Sequence, residues 1–237
     1  MTKQEKILYA QKCLSSIWSC PENVFSCDKN IVIKSEEIFF EVVTFGKNAV
    51  IRANEQIIDW CAEKFSNVPP EYVMDGENLF LIESKLREYG KKLCGEHIRY
   101  MRLLSEKRIE KPFGFTFETY EKERIHELYN DKGFENALGY EPGGEELAIV
   151  ARKNNEIAAI VAADSNIKGF WQMGIDTVPK YRNHGLAAYI VEKLAIEAEM
   201  RNKVPYYATW GANIASTKTV LKAGFTPVWV GYYSENS

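Results

Sequence analysis

The 237-residue chain has no apolar run approaching the roughly 20 residues that a membrane-spanning helix requires. Its opening stretch, MTKQEKILYAQK, interleaves charge with apolar side chains and holds no continuous signal-peptide core. The expected setting is the cytoplasm, with no membrane partner. Cysteine is scarce and one-sided: the five, at 13, 20, 27, 61 and 94, all precede residue 100. An odd count with no CxxC pair and no nearby His pair excludes a disulfide framework and a zinc site, so reduced thiols and no metal are expected. Excess charge of either sign is missing too. Against 33 acidic residues stand 30 basic ones, net −3, which leaves no electrostatic footprint for nucleic acid. There is no internal repeat, and the first hundred residues carry no nucleotide-binding loop, triad spacing or metal cluster.

What is present is globular material: 46% hydrophobic and 27% charged residues, with 5 Trp, 13 Tyr and 12 Phe for cores and pocket walls. The N-terminal half reads as α/β. A helix is predicted over residues 3–18, with Ile7, Leu8, Leu14, Ile17 and Trp18 near one face. Strands follow at Ile31–Ile33, Phe39–Thr44 and Ala49–Arg52. Asn54 is the candidate cap of a helix bearing Ile57, Ile58, Cys61 and Phe65, and Val68-Pro69-Pro70 breaks that pattern. A further helix is expected from Leu79 to Leu93 and a strand from His97 to Leu104. The charged segment Ser105 to Lys111, ending at Pro112, is the best boundary. Two domains are therefore expected, 1–110 and 111–237.

The second half is more regular. The pattern predicts a helix over Tyr120–Tyr129, and a looser apolar segment holds Phe134, Ala137, Leu138 and Tyr140. Strands are predicted at Leu147–Arg152 and Ile157–Ala163, joined by the polar turn Lys153-Asn154-Asn155, and a third at Phe170–Val178, stopped by Pro179. Leu186, Ile190, Leu194 and Ala198 recur at spacing four, with Ala187, Val191 and Ala195 beside them, which makes the strongest helix of the chain. Val204–Trp210 is read as a strand, Ser216–Lys222 as a short helix and Phe225–Tyr233 as a final strand.

The chemistry concentrates in Arg182-Asn183-His184-Gly185-Leu186-Ala187, which joins a strand directly to that helix. Amides at a helix N-terminus lack internal acceptors and the macrodipole is positive there, so the turn is a ready anion site. Gly185 lets a diphosphate reach the backbone, Ala187 is small for the same reason, and Arg182 adds charge. This stretch resembles the acetyl-CoA signature of the GNAT superfamily of N-acetyltransferases, Gln/Arg-x-x-Gly-x-Gly/Ala. The preceding Ile175-Asp176-Thr177-Val178-Pro179-Lys180-Tyr181-Arg182 matches the family's strand end. Downstream, Asn213-Ile214-Ala215-Ser216 and Lys222-Ala223-Gly224-Phe225 match its later motifs. The resemblance spans Pro112 to Tyr233. It implies an α/β (α+β) architecture: a central mixed sheet flanked by helices in the C-terminal half, beside a smaller α/β N-terminal domain.

That resemblance implies transfer of an acetyl group from acetyl-CoA directly to a primary amine, with no acyl-enzyme and no metal. Ile175, Thr177 and Val178 would offer backbone groups to the pantetheine arm and the thioester carbonyl. Arg182, Asn183, His184, Gly185, Leu186 and Ala187 would hold the diphosphate, and Asn213 and Ser216 would touch the cofactor from the far side. An alkyl ammonium titrates near 10, so its proton must be removed. Asp176 is the first candidate base and Asp164 the second. Many members have a Tyr seven residues after the Asn to protonate the leaving thiolate. Here that position is Val220, which has no proton to give, so Ser216, a nearby Tyr or water must serve. Trp171 and Tyr207 are candidate walls of an acceptor pocket. Charge is divided: Glu118 to Glu146 holds nine acids and three bases, whereas Ile175 to Phe225 holds seven bases and four acids. In the family that this chain resembles, the segment after the first strand usually borders the acceptor site, and its acidity here points to a cationic acceptor such as a polyamine, an aminoglycoside-like amine or a lysine side chain. The alternatives are a non-catalytic acyl-CoA-binding or sensing protein, and an N-terminal half that serves as an interaction or homodimerisation domain.

Overall fold

A computed structural model describes residues 2–103, 108–165 and 167–237. Leu104, where the predicted strand from His97 was to end, and residues 105–107 of the expected boundary lie outside the described residues. The chain divides into two units: Met1–Arg99 with Thr209–Gly211 and Pro227–Ser237, and Tyr100–Ala208 with Ala212–Thr226. Both are α/β, each a sheet flanked by helices. Among the described residues no helix is long and apolar enough to cross a membrane.

The first unit contains α1 (Lys3–Ile17), β1 (Ile31–Lys34), β2 (Phe40–Thr44), β3 (Ala49–Ala53), α2 (Ile58–Phe65), α3 (Gly76–Arg87), β4 (Lys91–Met101) and the last strand of the chain, β10 (Thr226–Asn236). Its strand order is β1-β3-β2-β10-β4, with β1 parallel to β3 and β2 antiparallel to both β3 and β10. Alternation along β2 serves both faces. Phe40 and Val42 pack with Ile57, Cys61, Phe65, Ile82 and Leu86 from the α2 and α3 side, while Val43 packs with Trp18, Val24 and Phe25 on the other. Burial pushes the Cys61 thiol up to about 12, so it is an inert core residue.

Three expectations shift here. The buried stripe of α1 is Lys6, Ala10, Gln11 and Ser15, leading to Trp18, whereas Leu8 and Ile17 are 53% and 49% exposed. The docking side was set by Trp18 against Phe25, not by the apolar count. Asn54 closes a turn rather than capping α2: its Oδ1 accepts from Gln56 N and its carbonyl from Ile57 and Ile58, so the helix starts at Ile58. α3 ends at Arg87 because the left-handed Gly90 turns the chain, and Leu93 lies in β4.

The second unit holds β5 (Thr116–Glu121), α4 (Glu135–Leu138), β6 (Glu145–Lys153), β7 (Glu156–Asp164), β8 (Phe170–Thr177), α5 (Leu186–Met200), β9 (Val204–Thr209) and α6 (Ile214–Lys222). β5 to β8 form an antiparallel meander, and β9 joins β8 in parallel, so the sheet is mixed. α5 covers one face with Ile190, Val191, Leu194, Ala195 and Ala198. The 3-10 helix Lys122–Asn130 and α4 cover the other, burying Ile125, Leu128, Phe134 and Leu138 against Ala148, Val150, Ile160 and Ala162. The helix predicted over Tyr120–Tyr129 therefore begins two residues later, at Lys122, and is 3-10, while Tyr120 and Glu121 belong to β5. Tyr120 pairs with Ala148, and the β-prone run Thr116-Phe117-Glu118-Thr119-Tyr120 was the overlooked signal.

α4 lies hard against β8. A Cβ on Gly174 would overlap the backbone carbonyl oxygen of Asn136, whereas one on Gly143 would meet nothing within 4 Å. Gly174→Ala should lose about 2–3 kcal/mol of stability by overpacking. Gly143→Ala should lose almost none, with urea midpoints as the measurement.

Candidate active site

The site begins where two strands part. β8 and β9 are joined by four parallel rungs, from Phe170–Val204 to Met173–Tyr207, and no further pair joins them among the described residues. β8 nevertheless runs on to Thr177 and β9 to Thr209. Val178 N donates to Ala158 O at 3.0 Å, which makes Asp176–Ile160 and Gly174–Ala162 hydrogen-bonded pairs of the β7–β8 ladder. Ile175 and Thr177 therefore turn their N–H and C=O groups away from β7, into the gap. Arg182 Nε donates to the Thr177 carbonyl at 3.2 Å, so Ile175 and the Thr177 amide present the open edge. Both backbone groups of Val178 are engaged, its amide on Ala158 and its carbonyl by Tyr181 N.

Past the gap the chain enters a turn with two left-handed residues, Asn183 (φ 64°) and Gly185 (φ 76°), and Gly185 starts α5. No side chain caps this helix and no acid sits in its first turn. The amides of Leu186, Ala187 and Ala188 thus have no intrahelical acceptor, and Tyr189 N is the first to bond back, to Gly185 O at 3.1 Å. Arg182, Asn183 and His184 are exposed around the turn, with the His184 ring 6.2 Å from that of Phe115. One residue beside the turn, named in the sequence only as part of a later motif, was not read as a site residue. Lys222 Nζ reaches to within 3.7 Å of where a Gly185 Cβ would stand, bringing an ammonium to the first-turn amides. Its position at the end of α6 carried no local signal, because the approach is tertiary.

Across the gap, Asn213 caps α6, its Oδ1 accepting from Ser216 N at 3.1 Å. Ser216 Oγ lies 2.6 Å from the hydroxyl of the buried Tyr207. Val220 is fully buried in α6.

The chain thus passes from a parted strand pair, where Arg182 holds the Thr177 carbonyl, to an uncapped helix start at a left-handed glycine that Lys222 approaches. The family model described as GNAT acetyltransferase matches residues 100–229. The chain belongs to the GNAT acetyltransferase family. No curated protein matches it. Among solved structures it is similar to a GCN5-related N-acetyltransferase-like protein of Streptococcus suis, at 13% identity and TM-score 0.49 over 68% of this chain and 69% of that one. It is similar also to a GCN5-related N-acetyltransferase of Kribbella flavida, at 17% identity and TM-score 0.46 over 64% and 62%. A third is yncA of Salmonella typhimurium, determined with its cofactor acetyl-CoA, at 11% identity and TM-score 0.39 over 52% and 94%. The chain spans less than two thirds of the Kribbella flavida protein.

The other expected groups of this GNAT chain are placed as follows. Asp176 caps α4: its Oδ2 accepts from Asn136 N at 2.8 Å and Ala137 N at 3.0 Å, and its Oδ1 from Asn136 Nδ2 at 2.7 Å. Three donors on one carboxylate make it a structural anchor for α4. Asp164 stands opposite Gln172, five residues from Thr177 along β8, or roughly 17 Å at the strand rise. Trp171 is core, 3% exposed, with Arg201 5.9 Å over its ring. Four of the nine acids of 118–146 stand in ion pairs, and a fifth accepts from a tyrosine. Glu121 binds Arg201, Glu118 and Glu127 bind Arg124, Glu146 binds Lys122 and Glu145 accepts from Tyr129 Oη. Part of this acidic segment thus braces the fold through Arg124, Arg201 and Lys122. Among the described residues no group of three or more His, Cys, Asp or Glu converges as metal ligands would.

Because Asp176 anchors α4, Asp176→Asn should cost about 1–2 kcal/mol, since the amide oxygen can keep the two backbone donors only by turning its nitrogen toward the Asn136 Nδ2 donor and the charge is lost. Urea unfolding and amide exchange in α4 measure this; a base with no structural part would leave both unchanged.

Proposed function

We propose that this protein transfers an acetyl group from acetyl-CoA directly to a primary amine. The observation that carries the reading is the open edge of Ile175 and Thr177 leading straight into the uncapped start of α5 at Gly185. In this reading the pantetheine arm replaces β9 as the partner of β8. The Ile175 and Thr177 amides are the donors able to bond it and to stabilise the oxyanion of the tetrahedral intermediate. The diphosphate is held by the Gly185 turn and the amides of Leu186 and Ala187, with Arg182, Asn183 and His184 around it and Lys222 added. Val178 closes the turn through its two backbone bonds, and Asn213 and Ser216 form the opposite wall.

The amine must arrive neutral. With Asp176 engaged by α4 and Asp164 displaced along the sheet, water is the carrier of the ammonium proton. The acceptor is a primary amine, on a cationic small molecule or a lysine side chain. The setting proposed is the cytoplasm. Val220 at the position of the usual proton donor favours a second reading, an acyl-CoA-binding or sensing protein without turnover.

Calorimetry with coenzyme A tests the shared premise. Gly185→Glu should weaken binding by about a hundredfold, roughly 2.7 kcal/mol, by strain and by repelling the diphosphate. Arg182→Ala and Lys222→Ala should each weaken it by about five- to tenfold and flatten its salt dependence. Continuous release of free coenzyme A with an amine panel identifies the enzyme; tight binding without release identifies the sensor.

A further inference from the structure

The wedge between β8 and β9 has a direction, and that direction bears on which acyl group fits; the inference rests on the acetyltransferase reading. The wedge is open at Thr177, where the chain leaves for Gly185, and it closes at the rung Met173–Tyr207. With the diphosphate at Gly185, the arm runs down β8 past Thr177 to Ile175. The acyl group is then the part that reaches deepest. Ile175 stands two residues from the closing rung, roughly 7 Å at the strand rise. Beyond that rung the strands are paired at about 4.8 Å, which leaves no space for a carbon chain between them.

Both faces of this apex are filled. On one, the backbone carbonyl of Asn136 lies against Gly174, held there by the Asp176 carboxylate through Asn136 N and Ala137 N. Side chains alternate along a strand, so Met173 and Ile175 turn to the opposite face, the one that α5 covers. Met173 is 2% exposed. A longer acyl chain would have to displace a backbone rung, a helix carbonyl or the Met173 side chain. Of these, only the side chain can be shortened by substitution. We infer that Met173 is the specificity-determining residue that limits the donor to an acetyl-sized group: its thioether arm fills the floor below the thioester.

Calorimetry on the full chain with coenzyme A and its acetyl, propionyl and butyryl thioesters tests this without an amine. The wild type should bind the acetyl thioester as tightly as coenzyme A, and lose about tenfold for each added methylene. Met173→Ala removes the thioether arm and should bring the butyryl thioester to within about threefold of the acetyl one. Met173→Leu, of like volume, should keep the wild-type order. Should the cavity unfold Met173→Ala, Met173→Val makes a smaller opening and should recover the propionyl thioester. Equal affinity of the wild type for all three thioesters overturns the floor. A graded loss that persists unchanged in the folded smaller variant overturns the role of Met173. Both results leave the acetyltransferase reading standing, whereas failure of the wild type to bind coenzyme A overturns that reading and the inference with it.

Discussion

Everything at the site depends on β8 losing a neighbour partway along its length. Four rungs hold it to β9, and beyond them a strand edge remains whose polar groups need a partner. Exposed edges ordinarily invite another chain. Here the edge is short, inside a fold, and runs into a helix whose first amides are equally unpartnered. The two deficits lie end to end, so a ligand with an amide-bearing arm and an anionic end satisfies both. Between them the chain makes a 3-10 turn at Pro179–Tyr181, and the left-handed Asn183 and Gly185 then bring it into the helix start.

The electrostatics divide in a way that composition hides. Acids of β5 and β6, Glu118, Glu121 and Glu146, tie the meander to its covering elements through Arg124, Arg201 and Lys122. At the turn, by contrast, Arg182 and Lys222 approach a helix start that offers no carboxylate in return. Counting charges along the chain registers both regions; only their pairing distinguishes charges that brace the fold from charges left facing the opening.

Much of the second unit was legible in the chain because its signals are local. The apolar stripe of α5, the glycine at its start and the Asn213 cap are each decided within a few residues. Asp176 was not legible, since its three donors come from Asn136 and Ala137, some forty positions earlier. Lys222 and Tyr207 were obscured for the same reason: their meaning lies in what folds against them. β5 was missed differently, because Tyr120 also fits the helical spacing of Ile125 and Leu128, and that period outweighed the run of β-formers. In α1, docking through Trp18 overrode the apolar pattern.

The place of β10 bears on how the molecule is made. It is the last strand in the chain, yet in the first unit it lies between β2 and β4. A ribosome therefore releases every residue of the second unit before the first can complete its sheet. Until β10 emerges, the β2 edge of the first unit stays without the partner that it has in the fold.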